Sequence, residues 1–277
     1  MFNLLKMDMY RLIRSRTTLI MVIVTATLAV FCMFMTSLSV DIHTQELEAD
    51  AAGEQITHDG VFFESSLSWT NDSKIDFTEL LTLQLQSRLL LAVVAVFTVL
   101  FIAAEYKKGF IKNIVGQFPI RGMMAASKLI TIAAMVLVML IIFELSMFLT
   151  GVILFKDRLV LGSAAELLRT SGLNYLLHFA YACVFVFLTA LTRSSALGIT
   201  LGILFSGGVS DLLYSCFDYL IPGDKFSIAE YTTTGNISTI TANMSNELVT
   251  KAVLVGVIFI LASSALYTLT VQKKDIN

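Results

Sequence analysis

The chain has 277 residues, of which 56% are hydrophobic and 14% are charged, and its mean hydropathy is +0.80. A typical soluble protein is about 45–50% apolar and about 25% charged, so this chain has too much apolar surface for one water-soluble core. Its composition excludes a disordered chain, its net charge of −2 argues against a nucleic-acid partner, and a fold within a lipid bilayer is predicted.

The first segment, residues 2–16, predicts an amphipathic elbow helix at the membrane interface. On a helical wheel, Phe2 and Leu12 share an apolar face, whereas Asp8 and Arg11 lie opposite. Such a helix lies in the headgroup layer with its basic side chains toward anionic lipid. It is either a simple positive-inside anchor or an elbow that also contacts a cytoplasmic partner.

Six apolar runs follow, each near the roughly 20 residues that a membrane-spanning helix needs. Their continuity excludes a membrane barrel, whose strands would alternate over about 10 residues. The fold is therefore predicted to be an all-α polytopic membrane protein with one transmembrane domain over residues 1–277. The predicted spans cover residues 17–40, 82–104, 128–155, 173–192, 194–220 and 251–271.

The charges of the connecting segments set the orientation of these spans. With the N-terminus inside, 12 of the 19 Lys and Arg residues lie in inside segments, which is the positive-inside arrangement. Both termini and the loop at 105–127 are therefore predicted to be cytoplasmic. The outside loop at 41–81 holds 10 Asp and Glu residues and a short predicted helix at 75–85. It is either a solvated cap or a vestibule that attracts a cationic substrate, such as a basic peptide.

The inside loop at 105–127 is far longer than the four or so residues that a connector needs. Basic residues, glycines and a proline alternate there with apolar residues such as Phe110 and Ile114. An apolar segment outside the bilayer requires a partner protein or the membrane surface to cover it. The loop is therefore predicted to bind a cytoplasmic partner.

These features resemble the permease subunits of the type-2 ATP-binding-cassette (ABC) transporters. In that family an acidic residue ends the second span, and a glycine, a short coupling helix, a proline, an arginine and a lysine follow. The chain differs from that pattern in carrying a phenylalanine where threonine is frequent, and in lacking a further arginine after the proline. The residues at the matching positions are Glu105, Gly109, Pro119, Arg121 and Lys128.

The resemblance implies an ABC exporter subunit with both an elbow helix and a coupling helix. The chain has no G-x-x-x-x-G-K-[ST] phosphate loop, so it is not expected to be an enzyme or to bind a cofactor. ATP and Mg²⁺ are expected on a separate ATPase subunit, two copies of which serve two permease chains, identical or related. The implied location is a bacterial cytoplasmic membrane. The implied coupling residues are Glu105, Gly109, Phe110, Ile114, Pro119 and Arg121.

Two features interrupt the predicted spans. Glu144 is placed in the outer half of the third span, as a pathway residue or as a packing acid paired with His178 or a serine. Gly207, Gly208 and Asp211 lie in the fifth span, which is either broken as a re-entrant exit gate or a continuous tilted helix. No spacing of His and acidic residues matches a metal site.

Two other functions compete with the exporter. A membrane anchor or sensor would use the loop at 105–127 to hold a partner without transport. A secondary transporter would carry ionisable residues near the midplane and inverted repeats, and it is disfavoured because Glu144 lies off-centre and the sequence shows no repeat. An intramembrane enzyme is disfavoured because the H-E-x-x-H and G-x-S-x-G motifs do not occur.

Overall fold

The computed structural model describes residues 2–52, 69–70, 73–107, 121–220 and 227–273, and this part of the chain is almost entirely helical. Short 3₁₀ helices lie at Lys156–Arg158 and Ile228–Tyr231, and β1 (Ile75–Asp76) pairs in parallel with β2 (Leu159–Val160). The described α-helices are α1 (Phe2–Arg14), α2 (Arg16–Ala52), α3 (Phe77–Gln86), α4 (Leu89–Lys107), α5 (Arg121–Phe155), α6 (Ala164–Thr192), α7 (Ser195–Ser206), α8 (Val209–Leu220), α9 (Thr233–Thr239) and α10 (Asn246–Lys273).

Five of these helices, α2, α4, α5, α6 and α10, are long and apolar enough to cross a membrane. The pair α7 and α8 passes the same test together but is bent by 65° at its break, so it is either a sixth, broken span or a re-entrant loop. The helical, multi-span architecture predicted from the sequence is confirmed to this extent. In α2 and in α10, only 28% of the most apolar stretch of the helix is buried inside the bundle. Large apolar side chains such as Ile153 and Leu261 are exposed. Soluble proteins avoid apolar surface of this extent, whereas lipid covers it.

Helix α1 is present where the elbow helix was predicted, but its buried face differs from the prediction. Leu4, Asp8 and Leu12 point into the bundle, whereas Phe2 and Ile13 are exposed. Residues four apart lie on one side of a helix, so the buried face includes an acid that was expected on the opposite side. Asp8 is buried because it meets a cation on α5, as described below.

The helices extend beyond the predicted spans. Helix α2 continues to Ala52 instead of ending near residue 40, and α5 begins at Arg121, ahead of residue 128. Both extensions are rich in residues with good helix propensity, such as Ala, Glu and Met. A helix therefore continues where the apolar run ends.

The second span predicted at 82–104 is corrected, because a break at Ser87 and Arg88 separates α3 from α4. Arg88 has φ 60°, a left-handed conformation that costs a non-glycine residue roughly 1–2 kcal/mol. The break turns the Arg88 side chain toward α8, where Asp211 is its ion-pair partner. The apolar span begins only at Leu89.

The short helix predicted at 75–85 is present as α3. The Asp76 carboxylate caps it by accepting a hydrogen bond from the Thr78 main-chain N–H at 2.7 Å. Phe77 packs edge-on against Phe148 of α5, with 5.4 Å between ring centroids. Helix α1 contacts α5 near Lys128, so α1 and α3 lie at opposite ends of α5, about 30 Å apart at 1.5 Å per residue.

The core lies between α4, α5 and α6, and its largest fully buried side chains include Phe97, Phe143 and Phe185. Helix α2 packs on α5, and α10 packs along α6. Each of the two outer helices, α2 and α10, keeps an exposed apolar side. Helices α4, α5 and α6 therefore form the rigid centre to which the N-terminal and C-terminal helices attach.

Candidate functional site

Four charged side chains, Asp8, Arg11, Glu105 and Lys128, meet where α1, α4 and α5 come together, and we call them the charged cluster. The Lys128 ammonium forms ion pairs with both Asp8 and Glu105. The Arg11 guanidinium pairs with the same Glu105 oxygen, Oε1, at 2.6 Å. Acids and bases therefore alternate through the charged cluster, and its formal charge is zero.

Neutral groups hold the charged cluster in place. The Ser127 hydroxyl donates a hydrogen bond to Asp8 Oδ2 at 2.6 Å. Arg11 donates to the main-chain oxygen of Phe101 at 3.3 Å, and its guanidinium carbon lies 4.5 Å from the centre of the Phe101 ring. Tyr267 of α10 is buried beside the two carboxylates. Four helices therefore contribute to one polar centre.

The charged cluster is almost completely removed from solvent. Asp8 is 1% exposed, Lys128 is 4% exposed and Glu105 is 5% exposed, whereas the Arg11 side chain is 28% exposed. Transferring each ion out of water costs several kcal/mol, which the opposite charges at close range offset only when every partner is present. Loss of any one member therefore leaves an uncompensated buried charge.

The charged cluster flanks the segment that was predicted to couple the chain to an ATPase. Glu105 lies in the last turn of α4, just before residues 108–120, and Lys128 lies in the second turn of α5, just after them. The Glu105–Lys128 ion pair therefore joins the two helices that enter and leave this segment. Asp8 and Arg11 attach both helices to α1.

The other predicted coupling residues are less fully described. Arg121 is the first residue of α5. Because the Glu105 side chain is only 7% exposed, it positions helices and presents almost no surface to a partner. The predicted coupling residues that lie outside the described residues are Gly109, Phe110, Ile114 and Pro119.

Glu144 lies on α5 beside α6, where the Ser171 hydroxyl is within hydrogen-bonding reach of its carboxyl group. Its Oε1 atom is buried and has no hydrogen-bond partner among the described groups. The predicted pairing with His178 does not form: His178 Nδ1 donates to the main-chain oxygen of Asn174 at 2.8 Å, and the buried Nε2 atom has no partner among the described groups. The serine pairing favours a packing role for Glu144, and its role in a pathway stays a prediction.

Of the two alternatives for the predicted fifth span, the continuous helix is not formed, since α7 ends at Gly207 and Gly208 and α8 leaves at an angle of 65°. Gly208 has φ +94°, a conformation that glycine adopts without steric cost. Asp211 in the first turn of α8 pairs with Arg88, which also donates to the Ser210 hydroxyl at 3.0 Å. These contacts tie α8 to the break between α3 and α4. A gating role of this region stays a prediction.

A close helix contact between α7 and α4 was missed by the sequence analysis. Gly198 faces Val99, and a Cβ atom added at Gly202 would lie 2.8 Å from the Cβ of Ala95. The Tyr181 hydroxyl donates to the main-chain oxygen of Gly202 at 2.9 Å. The sequence feature that indicates this contact is the G-x-x-x-G spacing of Gly198 and Gly202, since two small residues on one face let membrane helices approach closely.

Within the described ranges, no three His, Cys, Asp or Glu side chains gather in a way that would hold a metal ion. Cys32 and Cys183 are buried, Cys216 is exposed, and all three are free thiols. What the charged cluster provides chemically is a fixed electrostatic link between the ends of helices.

One family model, described as a protein of unknown function (DUF2705), matches residues 51–277. No curated protein matches the chain. The matched region contains Glu105 and Lys128 but not α1, so Asp8 and Arg11 lie outside it.

Proposed function

The chain belongs to the DUF2705 family of proteins of unknown function, and we propose that it is the membrane-spanning subunit of an ABC exporter. Separate ATPase subunits act on it through the loop flanked by Glu105 and Lys128. The charged cluster carries this proposal, because it holds the helices on both sides of the loop to each other and to α1.

A loop that transmits force needs rigid attachment at both ends. The Glu105–Lys128 ion pair supplies this attachment, and α1 braces it from the side. Helix α5 starts directly after the loop and has 35 residues, so it extends about 52 Å at 1.5 Å per residue. A displacement of the loop is therefore carried by α5 to the opposite end of the bundle, where it contacts α3.

The distribution of charge supports a cytoplasmic position for this end of the bundle. Basic residues are concentrated at the ends of α1 and α4 and at the starts of α2 and α5. Lys and Arg in short connecting segments favour the cytoplasmic side. The residues in question are Arg11, Arg14, Arg16, Lys107 and Lys128.

A membrane anchor or sensor is the second candidate function, because it would hold a cytoplasmic partner through the same loop. The broken helix pair α7–α8 favours transport, since an anchor has no need for a bent span at the end remote from its partner. The proposed substrate is a cationic or antimicrobial peptide, because the segment at 41–81 carries 10 acidic residues that would attract it.

Co-purification from the membranes of the source cell tests the exporter. The tagged chain, extracted in mild detergent, is expected to carry a subunit with a phosphate loop in about equal amount. Gly109→Trp should remove that subunit while leaving the chain in the membrane, because a bulky side chain would disturb the docking loop. Gly172→Trp is the matched control, since a Cβ atom at Gly172 meets nothing within 4 Å.

Two results would contradict the exporter. A chain that purifies without any phosphate-loop subunit has no ATPase partner. A stoichiometric partner that lacks a phosphate loop would instead support the anchor or sensor. Equal loss of the ATPase in the Gly109→Trp and Gly172→Trp proteins would show that the loop is not the docking site.

A further inference from the structure

A cavity of about 240 Å³ lies between the α1–α2 junction and α4, on the exposed side of Arg11. One wall is polar and consists of Arg11, Ser15, Thr17 and Thr18. The opposite wall is apolar and belongs entirely to α4. The cavity is therefore amphiphilic.

The polar wall contains a hydroxyl without a partner. In α2, Thr25 and Thr36 donate to the main-chain oxygen four residues earlier, at 2.8 and 3.0 Å. The Thr18 Oγ1 atom is also buried, but it has no hydrogen-bond partner among the described groups. Leaving a buried hydroxyl unpaired costs about 1–3 kcal/mol. This hydroxyl is closed off from solvent and therefore from the cavity, so the hydroxyls that a ligand can reach are those of Ser15 and Thr17.

Arg11 has donor capacity beyond the charged cluster. A guanidinium group has five N–H donors in a planar fork that suits phosphate oxygens. The two described contacts use one nitrogen toward Glu105 and the other toward the main-chain oxygen of Phe101. Further N–H donors stay available to an anion in the cavity that Arg11 lines.

The apolar wall suits hydrocarbon. Phe97, Leu100, Phe101 and Ala104 follow the spacing of one helix face. The volume of about 240 Å³ is below the roughly 300–1,000 Å³ of pockets that enclose a drug-sized ligand. The cavity therefore holds part of an amphiphile, such as a headgroup and the first carbons of its chain.

The cavity lies at one end of the apolar span of α2, where lipid headgroups would meet a chain inserted in a bilayer. The apolar span of α2 begins at Arg16, directly beside the cavity residues Ser15 and Thr17. Arg14 and Arg16 add positive charge at the same level. Basic pockets between membrane helices at the cytoplasmic surface bind the headgroups of anionic lipids.

We propose that this cavity binds an anionic phospholipid. The phosphate accepts hydrogen bonds from Arg11, Ser15 and Thr17, and the start of an acyl chain lies along α4. Bound lipid would stabilise the folded chain because the cavity exists only in the folded state. This inference rests on the insertion of the chain in a membrane and is independent of any ATPase partner.

Thermal unfolding of the delipidated protein in neutral detergent, followed by the fluorescence of Trp69, tests the proposal. Phosphatidylglycerol is expected to raise the melting temperature in a saturable way, whereas phosphatidylcholine and inorganic phosphate leave it unchanged. An equal shift with phosphatidylcholine would overturn the selectivity for anionic lipid. A saturable shift with inorganic phosphate would show that the cavity binds a free anion, and it would overturn the assignment of a phospholipid as the ligand.

Variants link the effect to the cavity. Thr17→Val removes a hydroxyl of the polar wall at nearly constant volume, and Ala104→Trp fills the apolar wall. Each is expected to raise the phosphatidylglycerol concentration for half-maximal shift at least about tenfold, because one buried hydrogen bond or the cavity itself is lost. Thr27→Val, at an exposed position of α2, should titrate like the wild type.

If Thr17→Val titrates like the wild type, the proposal is overturned, and this variant decides the test if Ala104→Trp does not fold. The outcome is separate from that of the ATPase co-purification. A protein without lipid selectivity can still carry an ATPase, and a lipid-binding protein can still lack one.

Discussion

Replacing Lys128 with methionine is expected to lower the free energy of unfolding by about 3–5 kcal/mol, the usual cost of removing one partner from a buried ion pair. Methionine keeps the unbranched apolar chain but lacks the charge that faces Asp8 and Glu105. These two carboxylates, 1% and 5% exposed, are then left with Arg11 as the remaining cation of the charged cluster. Their desolvation is no longer offset, so the folded state loses stability.

Equilibrium unfolding in mixed detergent micelles measures this loss. Trp69, the one tryptophan of the chain, packs against the core and reports unfolding. Lys6→Met, at an exposed position of α1, is the matched control and should change the stability by less than about 0.5 kcal/mol. Adding Asp8→Asn to Lys128→Met should recover part of the loss, because one uncompensated charge is removed. Equal stabilities of the Lys128→Met and Lys6→Met proteins would contradict the buried ion pairs.

The substitution Gly202→Leu is expected to destabilise the protein by about 1–3 kcal/mol, the usual cost of overpacking. A Cβ atom at this position already lies 2.8 Å from the Cβ of Ala95 and 3.5 Å from the Phe185 ring. Helix α7 must therefore move away from α4. The same movement weakens the hydrogen bond from the Tyr181 hydroxyl to the main-chain oxygen of residue 202.

Two further variants separate crowding from helix propensity, and the same unfolding measurement serves for both. Gly172→Leu adds an identical side chain where a Cβ atom meets open space, so it should not destabilise. The double variant Gly202→Ala with Ala95→Gly exchanges the crowded methyl between the helices and should be more stable than Gly202→Ala alone. Equal effects of Gly202→Leu and Gly172→Leu would contradict the close packing of α7 on α4.

Hydropathy was sufficient to predict the five long apolar helices and their order, because a run of about 20 apolar residues has few alternatives to a span. The sixth predicted span, at 194–220, is instead a pair of short helices bent by 65°. Hydropathy did not predict the helix ends, since α2 continues through polar residues with good helix propensity as far as Ala52. It also did not predict the break at Arg88. An arginine with positive φ has no local sequence signal, and here the ion pair with Asp211 accompanies that conformation.

The charged cluster was only partly predictable. Glu105 and Lys128 flank one connecting segment, so their helices enter and leave it at the same end of the bundle, and the resemblance to ABC permeases had singled out both. Asp8 was assigned to the polar side of α1, because a helical wheel cannot show that a cation on another helix will face it. The Glu144–Ser171 contact likewise depends on the packing of α5 and α6. Charges that are paired across helices need the tertiary arrangement, whereas apolar spans do not.

Photo-crosslinking from within the segment at 108–120 tests its docking on an ATPase subunit most directly. Ile114→benzoylphenylalanine, irradiated in native membranes, is expected to give a product that contains a phosphate-loop subunit. The same probe at Tyr219, which is 89% exposed on α8 toward the Arg88 end of α4, should not give this product. Attachment of the Ile114 probe only to lipid, or only to proteins without a phosphate loop, would contradict the exporter.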